Sequence, residues 1–268
     1  DQGEAIDEFN LMDRAESFDG KVPEEVVFLT CGVDVQDDRL ELSVIGWGRD
    51  DESWVITHEI VYGDPSTPHL WTALGTHIYK TYPTHDGRDL PIRATTIDSG
   101  GHFTNAVYSY AKQNAGRRVF AIKGVGGEGR AIVGRPSKNN IGKCNLFPVG
   151  VDTAKDTLFG RLRVADIGAS YIHFSDHLTP EYYKQLTAEK IITKYHRGFK
   201  KRVFQKIRAR NEALDCFVYA MAAYAILGIN VNALADKAGR ELSETPINTP
   251  VRPPFVPKSG RGFINSWR

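Results

Sequence analysis

The chain has 268 residues, of which 41% are hydrophobic and 25% charged, with a net charge of +1. That composition suits a globular core of one large domain with appendages, and a near-neutral balance does not announce a nucleic-acid partner, so any such case rests on local charge. The three cysteines, Cys31, Cys144 and Cys216, form no CxxC pair, which argues against a disulfide framework and a structural zinc site. No apolar run approaches the ~20 residues of a membrane span, and no basic-then-apolar leader opens the sequence. A cytoplasmic setting is expected. The sequence begins Asp1-Gln2-Gly3 without an initiator Met, as expected for a piece of a longer chain.

Residues 1–25 are acidic and weakly periodic and read as a linker or loose arm. A domain is expected over residues 26–230. Val26–Val35 is apolar and β-branched, a buried strand; Arg39–Gly48 and Glu52–Ile60 alternate apolar and polar. The turns between them are rich in Asp and Gly, which predicts an antiparallel meander. Pro68–Tyr82 has helical spacing, Ile92–Asp98 reads as a strand, His102–Asn114 as a helix and Arg118–Lys123 as a strand. Alternating strand and helix implies parallel pairing. The order matches an RNase H-like α/β sheet, in which the first and fourth strands lie side by side and parallel.

Residues 124–143 form a Gly-rich basic loop without the Gly-Lys-Ser/Thr ending of a P-loop. Two strand–helix stretches follow, Asn145–Val149 into Thr153–Leu162 and Tyr171–Phe174 into Thr179–Lys190. Ile191–Ile207 reads as a hairpin around Arg197-Gly198, and Asn211–Leu227 as a buried helix with Asn211 as N-cap and Gly228 as its stop. Residues 231–268 are expected to be a flexible tail, Pro-rich from about Gly239.

Three aspartates stand out. Asp34 ends an apolar strand, Asp98 ends a predicted parallel strand ahead of Gly100-Gly101, and Asp215 lies between Leu214 and Cys216-Phe217 on an apolar helix. Singly, each has an ordinary structural explanation: a turn cap, a helix N-cap, or a first-turn acid on the helix dipole. Together they converge, because carboxyl ends of parallel strands are where α/β sheets hold ligands. Three carboxylates in a small volume need a counter-charge, and Mg2+ or Mn2+, which prefer oxygen ligands, would supply it. Two such ions are expected, an arrangement suited to phosphodiester hydrolysis. Glu212, Asp37, Lys123 and His102 are secondary candidates. The segment Lys194–Arg210 carries Arg197, Lys200, Lys201, Arg202, Lys206, Arg208 and Arg210 with no acid and leads directly to Asp215. It reads either as a solvated face or as a grip on DNA phosphates, with Arg130, Arg135, Lys138 and Lys143 of the Gly-rich loop in the same role.

Three stretches resemble a known family: Leu29-Thr30-Cys31-Gly32-Val33-Asp34-Val35-Gln36 with Trp47-Gly48, then Thr96-Ile97-Asp98-Ser99-Gly100-Gly101, then Arg210-Asn211-Glu212-Ala213-Leu214-Asp215-Cys216 with Tyr219-Ala220. From about residue 10 to about 230 the chain is similar to the C-terminal nuclease region of the large terminase subunit of lambda-like (GpA-type) tailed bacteriophages. The resemblance implies an RNase H-like endonuclease using Mg2+ or Mn2+ that cuts concatemeric double-stranded viral DNA during packaging, in the cytoplasm of the infected bacterium. It also implies an ATPase domain joined before residues 1–25, a portal protein as partner through the tail, and the small terminase subunit as partner of the full-length protein. The alternatives are another RNase H-like nuclease of resolvase or transposase type, and a non-catalytic module binding DNA or the portal.

Overall fold

The structure, a computed structural model, describes residues 4–138, 144–196 and 199–244. The elements run α1 (Glu8–Met12), β1 (Ala15–Glu16), β2 (Phe28–Val35), β3 (Arg39–Trp47), β4 (Ser53–Tyr62), α2 (Pro68–Ile78), β5 (Thr81–Pro83) and β6 (Asp89–Asp98). They continue through α3 (Thr104–Gln113), β7 (Val119–Val125), β8 (Ser137–Lys138), β9 (Asn145–Gly150), α4 (Val151–Leu162), β10 (Ile172–Ser175) and α5 (Pro180–Leu186). The last four are β11 (Glu189–His196), β12 (Phe199–Lys206), α6 (Glu212–Leu227) and α7 (Val231–Glu244).

The main sheet has the order β1-β10-β4-β3-β2-β6-β7-β9-β8, with β5 beside β6. Strands β2, β3 and β4 form the expected antiparallel meander. The expected parallel pairing of β2 with β6 is present, Val33 lying opposite Ile97, and β6 pairs with β7 in the same sense. Helices α4, α5 and α6 share one apolar core with one face of the sheet; α2 and α3 share another with the opposite face. This is the RNase H-like arrangement: a mixed sheet between helical layers.

Two layers also explain a departure in β3. Its sequence alternates, yet every residue after Arg39 is buried, Glu41 and Ser43 included. The polar side chains that alternation would send to water point under α6 and need internal partners instead.

Other expectations are corrected. The arm is not loose: Leu11, Phe18 and Val22 are buried, and β1 pairs in parallel with β10 at the sheet edge. These few apolar side chains, spaced without a period, suffice because a preformed edge receives them. The helix expected to reach Lys190 stops at Leu186, since Glu189 already begins the β11–β12 ladder. The tail expected from residue 231 is helical over Val231–Glu244, and α7 docks on Asp50 through Asn232 Nδ2 at 2.8 Å and on Arg49 through Asp236. The Pro-rich stretch beyond it, and Arg197 and Lys143, lie outside the described residues. Among the described residues no single helix is long and apolar enough to cross a membrane.

Candidate metal centre

Helix α6 brings the site together, and Gly32 lets it. A Cβ at Gly32 would lie 2.0 Å from the carbonyl oxygen of Cys216 and 2.5 Å from the amide nitrogen of Ala220, so helix and strand are in backbone contact. Two hydroxyls pin the crossing: Thr30 Oγ1 donates to the Ala220 carbonyl at 2.9 Å, and Thr96 Oγ1 to that of Tyr219 at 2.7 Å. Side chains two apart on a strand share a face. Asp34 therefore lies on the face of Thr30 and Gly32, and Asp98 on that of Thr96. Both aspartates lie on the α6 side of adjacent parallel strands. Because Cys216 sits over Gly32 and Ala220 near Thr30, α6 runs with its N-terminus towards the aspartates, and Asp215 is carried to the same end.

Asp34 and Asp98 line one open cavity with Gln36, Asp37, His102, Lys123, Gly124 and Tyr219. Gln36 Nε2 donates to Asp34 Oδ2 at 2.6 Å. Burial, then the charges of Asp215 and Asp98, push the Asp34 carboxyl up to about 7 against that hydrogen bond. Asp98 is raised by burial, with Asp215 adding to it and the Gly100 amide and Lys123 pulling the other way. The Gly100 amide lies 3.1 Å from Asp98 Oδ1, a local turn; Asp98 does not cap α3, which starts after Phe103 without a side-chain cap.

Asp215 stands apart from that cavity. It meets Lys155 Nζ of α4 at 3.3 Å and Asn211 Nδ2 at 2.9 Å. Burial raises its carboxyl, the Lys155 charge lowers it, and Glu189 raises it again. Asn211 precedes α6 as expected, but its side chain does not cap the helix; its amide serves Asp215 and Glu189. Among the described residues no three His, Cys, Asp or Glu side chains are close enough to enclose an ion as they stand. The donor set still fits a hard divalent cation. Two carboxyl groups share a cavity, the charge of a third bears on both, and among the described residues neither forms an ion pair.

The secondary candidates divide. Asp37 and His102 hydrogen-bond each other at 2.9 Å on the exposed rim, and Lys123 lines the cavity. Glu212 is not turned to the cavity but to Arg39 at 2.9 Å and Arg210 at 3.4 Å. The basic hairpin also divides. Arg210 pairs with Glu41, Arg208 with Glu8 at 2.8 Å, and Arg202 with Asp156 at 3.3 Å. Lys206 donates to Asn211 at 2.6 Å, and Arg130 bonds the Gly126 carbonyl at 2.9 Å. Lys200 and Lys201 are exposed near the hairpin turn and form no ion pair among the described residues. Sequence reasoning missed Gln36, Lys155 and Glu189. Only Gln36, two residues from Asp34, had a local signal.

The family model of the terminase large subunit gpA endonuclease domain matches residues 1–236. The chain belongs to that family. As a terminase endonuclease domain it is 35% identical over 233 residues, 84% of its length, to the terminase large subunit of Escherichia phage lambda. It is 34% identical over 231 residues, 82% of its length, to that of Enterobacteria phage P21. The matched stretch spans 36% of each relative's length. No solved structure matches.

Proposed function

We propose that this terminase endonuclease domain hydrolyses phosphodiester bonds of double-stranded viral DNA, depends on Mg2+ or Mn2+, and makes the cuts that accompany genome packaging in the infected cell. The observation that carries the reading is the Asp34–Asp98 pair at adjacent parallel strand ends, with the charge of Asp215 unfavourable to both. Burial beside a second carboxyl raises Asp34 to about 7, which costs the native fold stability at neutral pH and supports a use outside the fold.

Asp34 and Asp98 would hold the cation, with Asp215 as the third ligand. One or two divalent ions held there would supply Lewis-acid activation of water and stabilisation of the leaving oxygen. The chain's own residues do the rest. Gln36 orients the Asp34 carboxylate, and Asn211 that of Asp215. Lys123, which lines the same cavity, would offer its charge to an incoming phosphate. Lys200 and Lys201, without an ion pair among the described residues, present their charge to the DNA backbone, a contact that carries affinity without sequence preference. The portal protein and the small terminase subunit are proposed as partners of the full-length protein.

The test is supercoiled plasmid incubated with the chain and Mn2+ or Mg2+, with and without chelator. Cutting by wild type that chelator abolishes, and that Asp34→Asn and Asp215→Asn lack, supports the reading. Cutting by Asp34→Asn at the wild-type rate overturns it.

A further inference from the structure

We infer that Lys155 is an internal competitor of the divalent cation: its ammonium bridges Asp215 and Glu189, and gives up Asp215 when a metal ion binds. The inference rests on the metal reading above and concerns a residue that reading does not require.

Lys155 projects from α4 into the junction between the base of the hairpin and the start of α6. Its Nζ lies 2.7 Å from Glu189 Oε1 and 3.3 Å from Asp215 Oδ1, and the side chain is only 11% exposed. Asn211 Nδ2 joins the same two carboxylates, at 3.1 Å from Glu189 and 2.9 Å from Asp215. Lys206, opposite Glu189 in the hairpin ladder, holds the other end of the Asn211 amide at 2.6 Å. The junction is thus built from four elements around one buried cation. By contrast, Asp34 and Asp98 form no ion pair among the described residues. Of the three aspartates, only Asp215 already has a cation on it.

An ammonium and a divalent ion cannot share a carboxylate in a site this buried without strong repulsion. The two contacts of Lys155 are unequal, and the shorter one offers the way out. When Asp215 turns to a metal ion, Glu189 still neutralises the ammonium, so no buried charge is left alone. Glu189 therefore has a role that its distance from the cavity does not suggest: it holds the displaced lysine. The arrangement also keeps Asp215 and Glu189, two like charges, at the same junction before any cation arrives. Lys155 is a positioning residue here, and its effect is on metal affinity.

The experiment is calorimetric titration of the chain with Mn2+ alone, without DNA. Lys155→Gln removes the competitor and is expected to bind Mn2+ at least roughly tenfold more tightly than wild type. Lys155→Arg keeps a competing cation and is expected to stay near wild type. Glu189→Gln leaves the ammonium to Asp215 alone and is expected to weaken Mn2+ binding severalfold, and this variant also decides the matter if Lys155→Gln does not fold. Lys155→Gln binding no more tightly than wild type, or Glu189→Gln binding as well as wild type, overturns the inference while leaving the metal reading intact. If wild type binds no Mn2+, the metal reading falls and this inference with it.

Discussion

Two groups of buried acids flank the first turn of α6, and the chain treats them in opposite ways. Glu41 and Glu212 are surrounded by Arg39, Arg210 and His58, with Arg39 Nε at 2.6 Å from Glu41 and Arg39 Nη2 at 2.9 Å from Glu212. Burial pushes the Glu41 carboxyl up, but hydrogen bonds from His58 and Arg39 and the Arg210 charge outweigh it and hold it at about 2. Asp34 pairs with Glu41 across the β2–β3 ladder, yet among the described residues its side chain receives only the Gln36 amide and sits at about 7. Adjacent positions in one ladder thus carry a compensated acid and an uncompensated one. Where an acid serves the fold, the chain provides arginine. At Asp34 and Asp98 it provides no ion pair among the described residues.

The largest expected effect is catalytic. Asp34→Asn or Asp215→Asn should reduce Mn2+-dependent plasmid cutting by roughly 10³-fold, since metal-borne charge stabilisation is worth several kcal/mol; relaxation of supercoiled DNA on a gel reads it. If either variant loses less than tenfold, that acid does not hold the metal.

Next comes the compensated group. Glu41→Gln takes a buried carboxylate from Arg39 and Arg210, leaves Glu212 to both, and should cost about 1.5–3 kcal/mol of stability, read by urea unfolding. The pH dependence has the matching sign. A carboxyl lowered from 4.5 to about 2 contributes stability that is present above pH 4.5 and lost as pH falls towards 2. The lowering corresponds to about 3 kcal/mol. Wild type should therefore lose stability steeply below pH 4.5, and Glu41→Gln should show a shallower acid limb.

Asp34→Asn should move stability the other way. A carboxyl raised from 3.8 to about 7 penalises the native state increasingly as pH climbs through that range. In metal-free buffer above pH 7 the neutral variant should be more stable, by up to about 4 kcal/mol, seen as a higher melting temperature. If Asp34→Asn and Glu41→Gln both destabilise, the contrast between the groups is wrong.

The smallest effect separates the two kinds of basic residue in the hairpin. Lys200→Gln with Lys201→Gln should lower the slope of log affinity for duplex DNA against log salt by about 0.9 per lost contact and leave stability unchanged. Arg208→Gln should do the reverse, because Arg208 is held by Glu8 and the Lys184 carbonyl. An unchanged salt slope in the lysine variant would remove the hairpin from the DNA contact.

Much of this was legible in the linear chain because periodicity is local. Alternation in β4, helical spacing in α2 and the apolar run before Asp34 each reflect contacts that every residue in the element shares, so type and order were readable, and with them the adjacency of β2 and β6. Asp34 and Asp98 could be picked out because an acid at the end of an apolar strand breaks a local pattern. The hairpin was readable as basic, but which of its cations are spent was not: Arg208 meets Glu8 and Arg210 meets Glu41 across 200 and 169 residues of chain. Glu41 looked like an outward-facing strand residue until α6 covered it.

The sequence by itself determined the order of the central strands and helices, the family, and three acids that needed an explanation. Only the tertiary structure decided which acids are neutralised from within. Charge compensation acts through space at a few ångströms, between residues such as Lys155, Glu189 and Asp215 that no sequence spacing relates. Gly32 joins the two levels: one missing side chain, plain in the sequence, whose consequence is the helix crossing that carries Asp215 towards Asp34.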